Sequence, residues 1–171
     1  VKHTLAALVN NKPGVLAKVS GLFARRGYNI DSLAVNETID ARYVDPDGRK
    51  YSRMTIVVDD EGDRLIMDQI ENQLNKLVDV VHISDHTQED IVRRELALIK
   101  INAAPEQRPE VVAVCQVFRA LIDDIGETTL IVQVAGTPEK VDGMIDVLRP
   151  YGIRELVRTG RVVLARGDRP T

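Results

Sequence analysis

Residues 5–33, LAALVNNKPGVLAKVSGLFARRGYNIDSL, read as a strand, a sharp turn, a helix and the opening of a second strand. The turn is Asn10-Asn11-Lys12-Pro13-Gly14. Pro13 holds φ near the helical value and lacks the N–H that a helix start leaves unpaired, so a helix is expected over residues 13–26. Gly14 has no Cβ, which lets another group approach its backbone. The helix start exposes amide N–H groups at the positive end of a dipole, an arrangement suited to a small carboxylate. Val15, Leu16, Val19, Leu22 and Phe23 recur at helical spacing and form one apolar side. Gly27 closes the helix behind Arg25 and Arg26, cations that suit its negative end. Pro-Gly is also common turn chemistry, and on spacing alone a plain strand-to-helix turn is the simpler reading.

Working outward, residues 3–10 carry little polar content on either face, as a strand covered on both sides does. Residues 28–38 read as a strand whose alternation breaks at Asp31-Ser32, the signature of a bulge. Asp45-Pro46-Asp47-Gly48 is turn chemistry, which makes residues 39–51 a hairpin connection. Residues 53–59 alternate, with Met54, Ile56 and Val58 on one face. Asp59-Asp60-Glu61-Gly62-Asp63 reads as a polar turn with Asp63 as helix cap rather than a metal site, since no partner at ligand spacing follows. Ile66, Ile70, Leu74 and Leu77 stripe a second helix, and residues 78–85 form a fourth strand. The order β-α-β-β-α-β is the ferredoxin-like split motif.

After a polar stretch at 87–94 the order repeats. Residues 95–102 are a strand, 110–118 a helix, and 121–125 and 129–135 two strands. Thr137 and Pro138 open a helix as N-cap and first residue, with Val141, Ile145 and Leu148 facing inward. Strands are expected over 153–159 and 161–165. The fold class is therefore α+β, with two ferredoxin-like βαββαβ units, one spanning residues 1–86 and the other 95–171. The halves share no sequence motif, and the second lacks a Pro-Gly turn of the first kind.

At 44% hydrophobic residues the 171-residue chain can build real cores, and no apolar run approaches the roughly 18–20 residues that cross a bilayer. Without a charged-then-apolar leader pattern, a cytoplasmic protein that does not engage membranes is expected. Cys115 is the lone cysteine, which fits a reducing compartment, and its helical setting reads as a core thiol. A net charge of −3 with interspersed signs, no Trp and 4% aromatics argues against a nucleic-acid footprint. His82 and His86 fall on a strand and in the loop beyond it, not on one helix face, so they are not read as metal ligands. No nucleophile elbow, Walker loop or dinucleotide fingerprint occurs. A good fold with no catalytic constellation and one ligand-shaped turn reads as a sensor, not an enzyme.

Asn11-Lys12-Pro13-Gly14-Val15-Leu16 followed by Arg26-Gly27-Tyr28-Asn29-Ile30 resembles the opening of an ACT domain, the amino-acid-sensing module. The runs GLFARRGYNIDSLAV (21–35), SRMTIVV (52–58), QIENQLNKLVDVV (69–81), VRRELALIKI (92–101) and GRVVLARGD (160–168) are similar, nearly end to end, to the regulatory small subunits of acetohydroxyacid synthase, also called acetolactate synthase. The resemblance implies a non-catalytic partner of a large subunit that carries thiamine diphosphate, magnesium and flavin, with no cofactor on this chain. It implies activation of that subunit, feedback inhibition by valine, and a homodimer with the ligand between two ACT domains. Carried over by position, the ligand contacts are Asn11, Gly14 and Asn29, with Val15, Leu16 and Ile30 lining the apolar part. Backbone N–H groups at Gly14 suit a carboxylate, and the two asparagine carbonyls suit an ammonium. Asp31 reads either as a further ammonium partner or as a strand-end surface charge. Leucine and isoleucine differ from valine by too little to be separated here. The connection 39–51 is longer than the family's usual one. The rival class is a free-standing ACT-domain sensor acting on another enzyme or on transcription.

Overall fold

The computed structural model describes residues 1–43, 46–59 and 65–171, with Ile66 as backbone only. Asp45 of the hairpin turn, the expected cap Asp63 and the Ile66 side chain lie outside the described residues. The chain folds as two compact units, Val1–Val92 with Gly160–Thr171, and Arg93–Thr159.

The first unit runs β1 (Lys2–Asn10), α1 (Val15–Arg26), β2 (Ile30–Thr38), β3 (Tyr51–Asp59), α2 (Leu65–Leu74) and β4 (Val80–Asp85). Its antiparallel sheet has the order β2-β3-β1-β4, as the split motif requires. Helix α1 starts two residues later than expected. Pro13 belongs to the turn, and Gly14 is the N-cap, with φ 84°. The expected break in β2 is present as a shift of register between Ile30 and Ser32.

Cross-strand register sorts the sheet into two faces. Leu5, Ala7 and Val9 pair with Ile56, Met54 and Ser52. This face packs against Val15, Val19, Leu22 and Phe23 of α1 and Met67, Ile70 and Leu74 of α2. The stripe on α2 therefore includes Met67, and Leu77, expected on the helix, lies beyond its end at Leu74 and packs against the same core. Thr4, Ala6 and Leu8, paired with Val57, Thr55 and Arg53, make the second face, joined by Ser32, Ala34 and Asn36 of β2. Thr4, Ala6, Leu8, Thr55 and Val57 are also buried. Two remote stretches are bonded to residues of this face. One is the connection after β2, where Asp40 takes hydrogen bonds from Arg42 Nε and Nη2 at 2.9 and 2.6 Å and from Arg53 Nη2 at 3.1 Å. The other is residues 160–171. Arg161 N–H donates to Ser32 Oγ at 3.0 Å, and Arg42 Nη2 donates to the Thr171 carbonyl at 2.9 Å.

Residues 160–171 were expected in the second unit, and they group with the first. The physical reason is their contact with the first unit: Gly160 lies against the Leu33–Ala34 backbone, Arg161 bonds Ser32, and Thr171 accepts from Arg42.

The second unit takes up β5 (Ile91–Asn102), which begins inside the polar stretch 87–94, read as linker or as the start of the next element, and so ahead of the strand expected from residue 95. A 3₁₀ turn (Pro105–Gln107), α3 (Arg108–Phe118), β6 (Leu121–Ile125), β7 (Thr129–Gly136), α4 (Pro138–Leu148) and β8 (Ile153–Arg158) follow. The sheet order is β6-β7-β5-β8, and the terminal strand β9 (Val162–Ala165) pairs with β5. Thr137 caps α4 by accepting from Lys140 N–H, with Pro138 first in the helix. Ala97, Ile99, Ile101, Leu130, Val132 and Val134 meet Val111, Cys115, Val141, Met144 and Leu148 in a separate core. Burial pushes the Cys115 thiol pKa up, as befits a packing residue.

Two outcomes are expected from the covered sheet. The hydrogen bonds from Arg42 hold the Asp40 carboxyl at about 2, below its ordinary 3.8. A depressed carboxyl stabilises the fold above its unfolded value, and this is lost as pH falls towards the folded one. Asp40→Asn should cost about 2 kcal/mol at pH 7, and denaturation midpoints should lose part of their pH dependence between about 4 and 2. Ending the chain at Thr159 should bare the second face. Hydrogen exchange should then quicken in β1 and β3, with β7 left protected.

Candidate functional site

The turn between β1 and α1 is tied to the sheet by backbone bonds. Asn11 N–H donates to the Lys50 carbonyl at 2.9 Å, and Lys12 N–H to the Asn10 carbonyl at 3.0 Å. Gly14 accepts the first helical bond, from Lys18 N–H at 3.0 Å. Its φ of 84° is one that side chains other than glycine adopt only with strain, and a Cβ there would meet nothing within 4 Å. The glycine therefore serves a backbone shape with open space in front of it. No side chain caps α1, and its first turn holds no acid. Val15 N–H turns back to the Lys12 carbonyl at 3.4 Å, and the N–H groups that follow it, with the dipole at this end, suit an anion. Lys18 Nζ lies 2.7 Å from Asp79, and chiefly that hydrogen bond lowers the Asp79 pKa.

The expected contacts divide into two groups. Asn11 and Gly14 sit together at one end of the first sheet, where Asn10, Tyr51 and Thr38 are in register. Asn29 and Ile30 sit at the other end, where Ile30 pairs with Val58 beside Lys2. The length of α1, twelve residues, puts about 18 Å between the two ends at 1.5 Å per residue. One copy of the chain therefore does not bring all six residues around one small molecule. Val15 is buried in the core under the turn, Leu16 is 44% exposed, and Ile30 is half-buried against the core.

Both asparagines are held through their NH2 groups. Asn11 Nδ2 donates to Glu37 Oε2 at 3.3 Å, and Asn29 Nδ2 donates to Asp31 Oδ1 at 3.3 Å. The carbonyl oxygens are left to accept from another donor. Asp31, one of two readings of which was an ammonium partner, carries an ion pair with Lys2 at 2.9 Å. Glu37 and Lys50, paired at 3.2 Å, stand beside Asn11 and were not foreseen. Nothing local in the sequence marks them, because cross-strand register alone brings them there. His86 is buried against Glu89 (Nδ1 to Oε2, 2.7 Å), whereas His82 lies on β4 with Nε2 3.0 Å from Ser84 Oγ. Among the described residues no three His, Cys, Asp or Glu side chains gather as a metal site. No helix among them is long and apolar enough to cross a membrane.

A βαββαβ unit with an uncapped, glycine-led helix start presents the positive end of a helix dipole, which suits a small anion. Residues 5–82 match the AHAS small subunit-like ACT domain, so the first unit is an ACT domain. Residues 94–167 match the family described as small subunit of acetolactate synthase. The chain is 48% identical to a probable acetolactate synthase small subunit of Archaeoglobus fulgidus, over 99% of both proteins. It is 46% identical to the acetolactate synthase small subunit of Mycolicibacterium smegmatis, over 98% of this chain and 92% of that one. The crystal structure of the acetolactate synthase small subunit from Thermotoga maritima superposes with a TM-score of 0.84 at 36% identity, covering 98% of this chain and 99% of that one. The chain belongs to the family of acetolactate synthase small subunits.

The geometry at Gly14 separates backbone from packing. Gly14→Ala should destabilise the first unit by about 1–2 kcal/mol through its positive φ, and Gly14→Asn by less, because asparagine tolerates that conformation. Thermal melts of the three proteins check the order.

Proposed function

We propose that this chain is the non-catalytic regulatory subunit of an acetolactate synthase: it raises the activity of a thiamine-diphosphate-dependent catalytic subunit and makes that activity sensitive to valine. Thiamine diphosphate, magnesium and flavin belong to the catalytic partner, and both proteins work in the cytoplasm. The observation that carries the effector site is its division between the two ends of α1. Strand β2 is an edge of the first sheet, and its N–H and C=O groups on that side are open to another strand. A second copy pairing β2 to β2 antiparallel about a twofold axis brings the Asn29 end of one copy to the Thr38 end of the other. Asn29 of one copy then stands beside Glu37, Asn11 and the Gly14 turn of its neighbour. The dimer completes what a single copy leaves open.

In that setting the free N–H groups at the start of α1 take the valine carboxylate, and the Asn11 and Asn29 carbonyls take its ammonium. Leu16 and Ile30 are the apolar surfaces for the isopropyl group, with Val15 supporting the turn from beneath. A free-standing sensor acting on another enzyme is the other class, and the family match over the second unit weighs against it.

The test is reconstitution with the catalytic subunit, following acetolactate with and without valine. Gly14→Asp places a negative charge where the carboxylate lies, and Asn29→Ala removes an ammonium partner, worth roughly 1.5–3 kcal/mol. Both should give stimulated activity that valine no longer suppresses. Normal inhibition in both would put the effector elsewhere, and loss of stimulation would make the turn a docking surface. Valine at a hundred times its dissociation constant should raise stability by about 2.7 kcal/mol. Light scattering should show at least a dimer at micromolar concentration.

A further inference from the structure

The chain passes from one unit to the other twice, within β5 at Val92–Arg93 and again at Thr159–Gly160. The second passage begins where β8 ends, at Arg158, and it is fastened to the strand that opens with the effector residues. Gly160 lies flat on the backbone of β2. A Cβ built on it would collide with the Leu33 carbonyl oxygen and stand 2.5 Å from its carbon and 2.8 Å from the Ala34 nitrogen. These are backbone atoms and cannot turn aside as a side chain can. The next residue, Arg161, donates its N–H to Ser32 Oγ at 3.0 Å. Ser32 ends the register shift that starts at Ile30, so the fastening sits on the bulge itself.

We infer that Gly160 and Arg161 form a clamp on the β2 bulge through which effector binding at Asn29 and Ile30 reaches the second unit. The inference rests on the effector reading given above. A bulge is the place in a strand where register and side-chain direction can change with least loss of ladder hydrogen bonds. A ligand that holds Asn29 and Ile30 draws on the residue next to the bulge. Glycine's contact with Leu33 and Ala34 leaves no slack between β2 and residue 160, so a shift of Ser32 carries Arg161 with it, and Gly160 is bonded directly to the chain leaving β8. The Ser32 hydroxyl and the missing Cβ at 160 are thus positioning features. Neither touches the proposed ligand, and neither belongs to either hydrophobic core.

The experiment uses the full chain and valine as the probe, with hydrogen exchange and calorimetry on the parent, Ser32→Ala, Ser32→Thr and Gly160→Ala. Ser32→Ala deletes the acceptor for Arg161 with little change of volume. Ser32→Thr keeps the hydroxyl and serves as the rescue. Gly160→Ala lifts the segment off β2, and if it fails to fold, the serine pair still decides. In the parent, valine should change exchange both at residues 11–16 and at residues 153–161. In Ser32→Ala the first change should persist with valine affinity within about threefold of the parent, and the second should vanish. The valine concentration for half-inhibition of the reconstituted enzyme should rise about tenfold or more. Ser32→Thr should behave as the parent. If Ser32→Ala keeps the distant change and normal inhibition, the clamp is not the route. If valine changes residues 11–16 alone in the parent, the effector site stands and the clamp falls. If valine binds nowhere, the effector reading and the clamp fall together.

Discussion

The central pair of the first sheet, β1 and β3, is buried on both faces, and a sheet with two hidden faces needs two covers. Helices α1 and α2 supply one, as the split motif provides. The other face is made of Thr4, Ala6, Leu8, Thr55 and Val57, too small and mixed to take a helix stripe in the usual way. Lengths of chain that are not part of the motif are bonded to residues of this face: the connection around Asp40 and Arg42 at Arg53, and the last residues of the chain at Ser32. The Asp40–Arg42–Arg53 cluster holds these pieces in place. Its low exposure is compatible with charge because each carboxylate oxygen is hydrogen-bonded to a guanidinium.

That requirement has a consequence for function. Residues 160–171 must return to the first unit after the second is complete, and they return across β2. The edge strand β2, which begins at Ile30 next to Asn29, is therefore also the strand on which the chain's second passage is fastened. Under the proposed function, occupancy of a small site is felt by a large partner, and coupling of this kind needs a physical element that both sites bias. A bulged edge strand clamped by a glycine is a compact candidate, since close-packed backbone transmits a displacement that flexible side chains would absorb.

The second unit shows what the same topology looks like without those demands. Its sheet packs one face on α3 and α4, while Leu98, Leu121 and Val157 on the other are 38%, 59% and 65% exposed. Its helix start after β5 is reached through a 3₁₀ turn, not a positive-φ glycine. The two units share an order of elements, and only the first leads into its first helix through a positive-φ glycine.

Helical and strand periodicities placed the elements of both units, and Thr137 and Pro138 named their cap, because these signals are local. The bulge at Asp31-Ser32 was legible for the same reason. Pro13 was misplaced by two residues, since proline suits a turn as well as a first helical position, and the positive φ at Gly14 decided between them. Other features lay beyond the sequence on its own. Glu37 and Lys50 come to Asn11 by cross-strand register. The six expected ligand contacts separate into two ends because β1 and β2 run parallel with α1 returning between them. The last twelve residues, Gly160–Thr171, join the first unit through backbone contacts. The amino-acid sequence determined which segments are strands, helices and turns, through side-chain period and backbone preference. Tertiary structure alone decided which unit the end of the chain would join and that the six expected contacts would lie at two ends of one sheet, because cross-strand register and the close approach of a glycine to a carbonyl leave no pattern in the identity of distant residues.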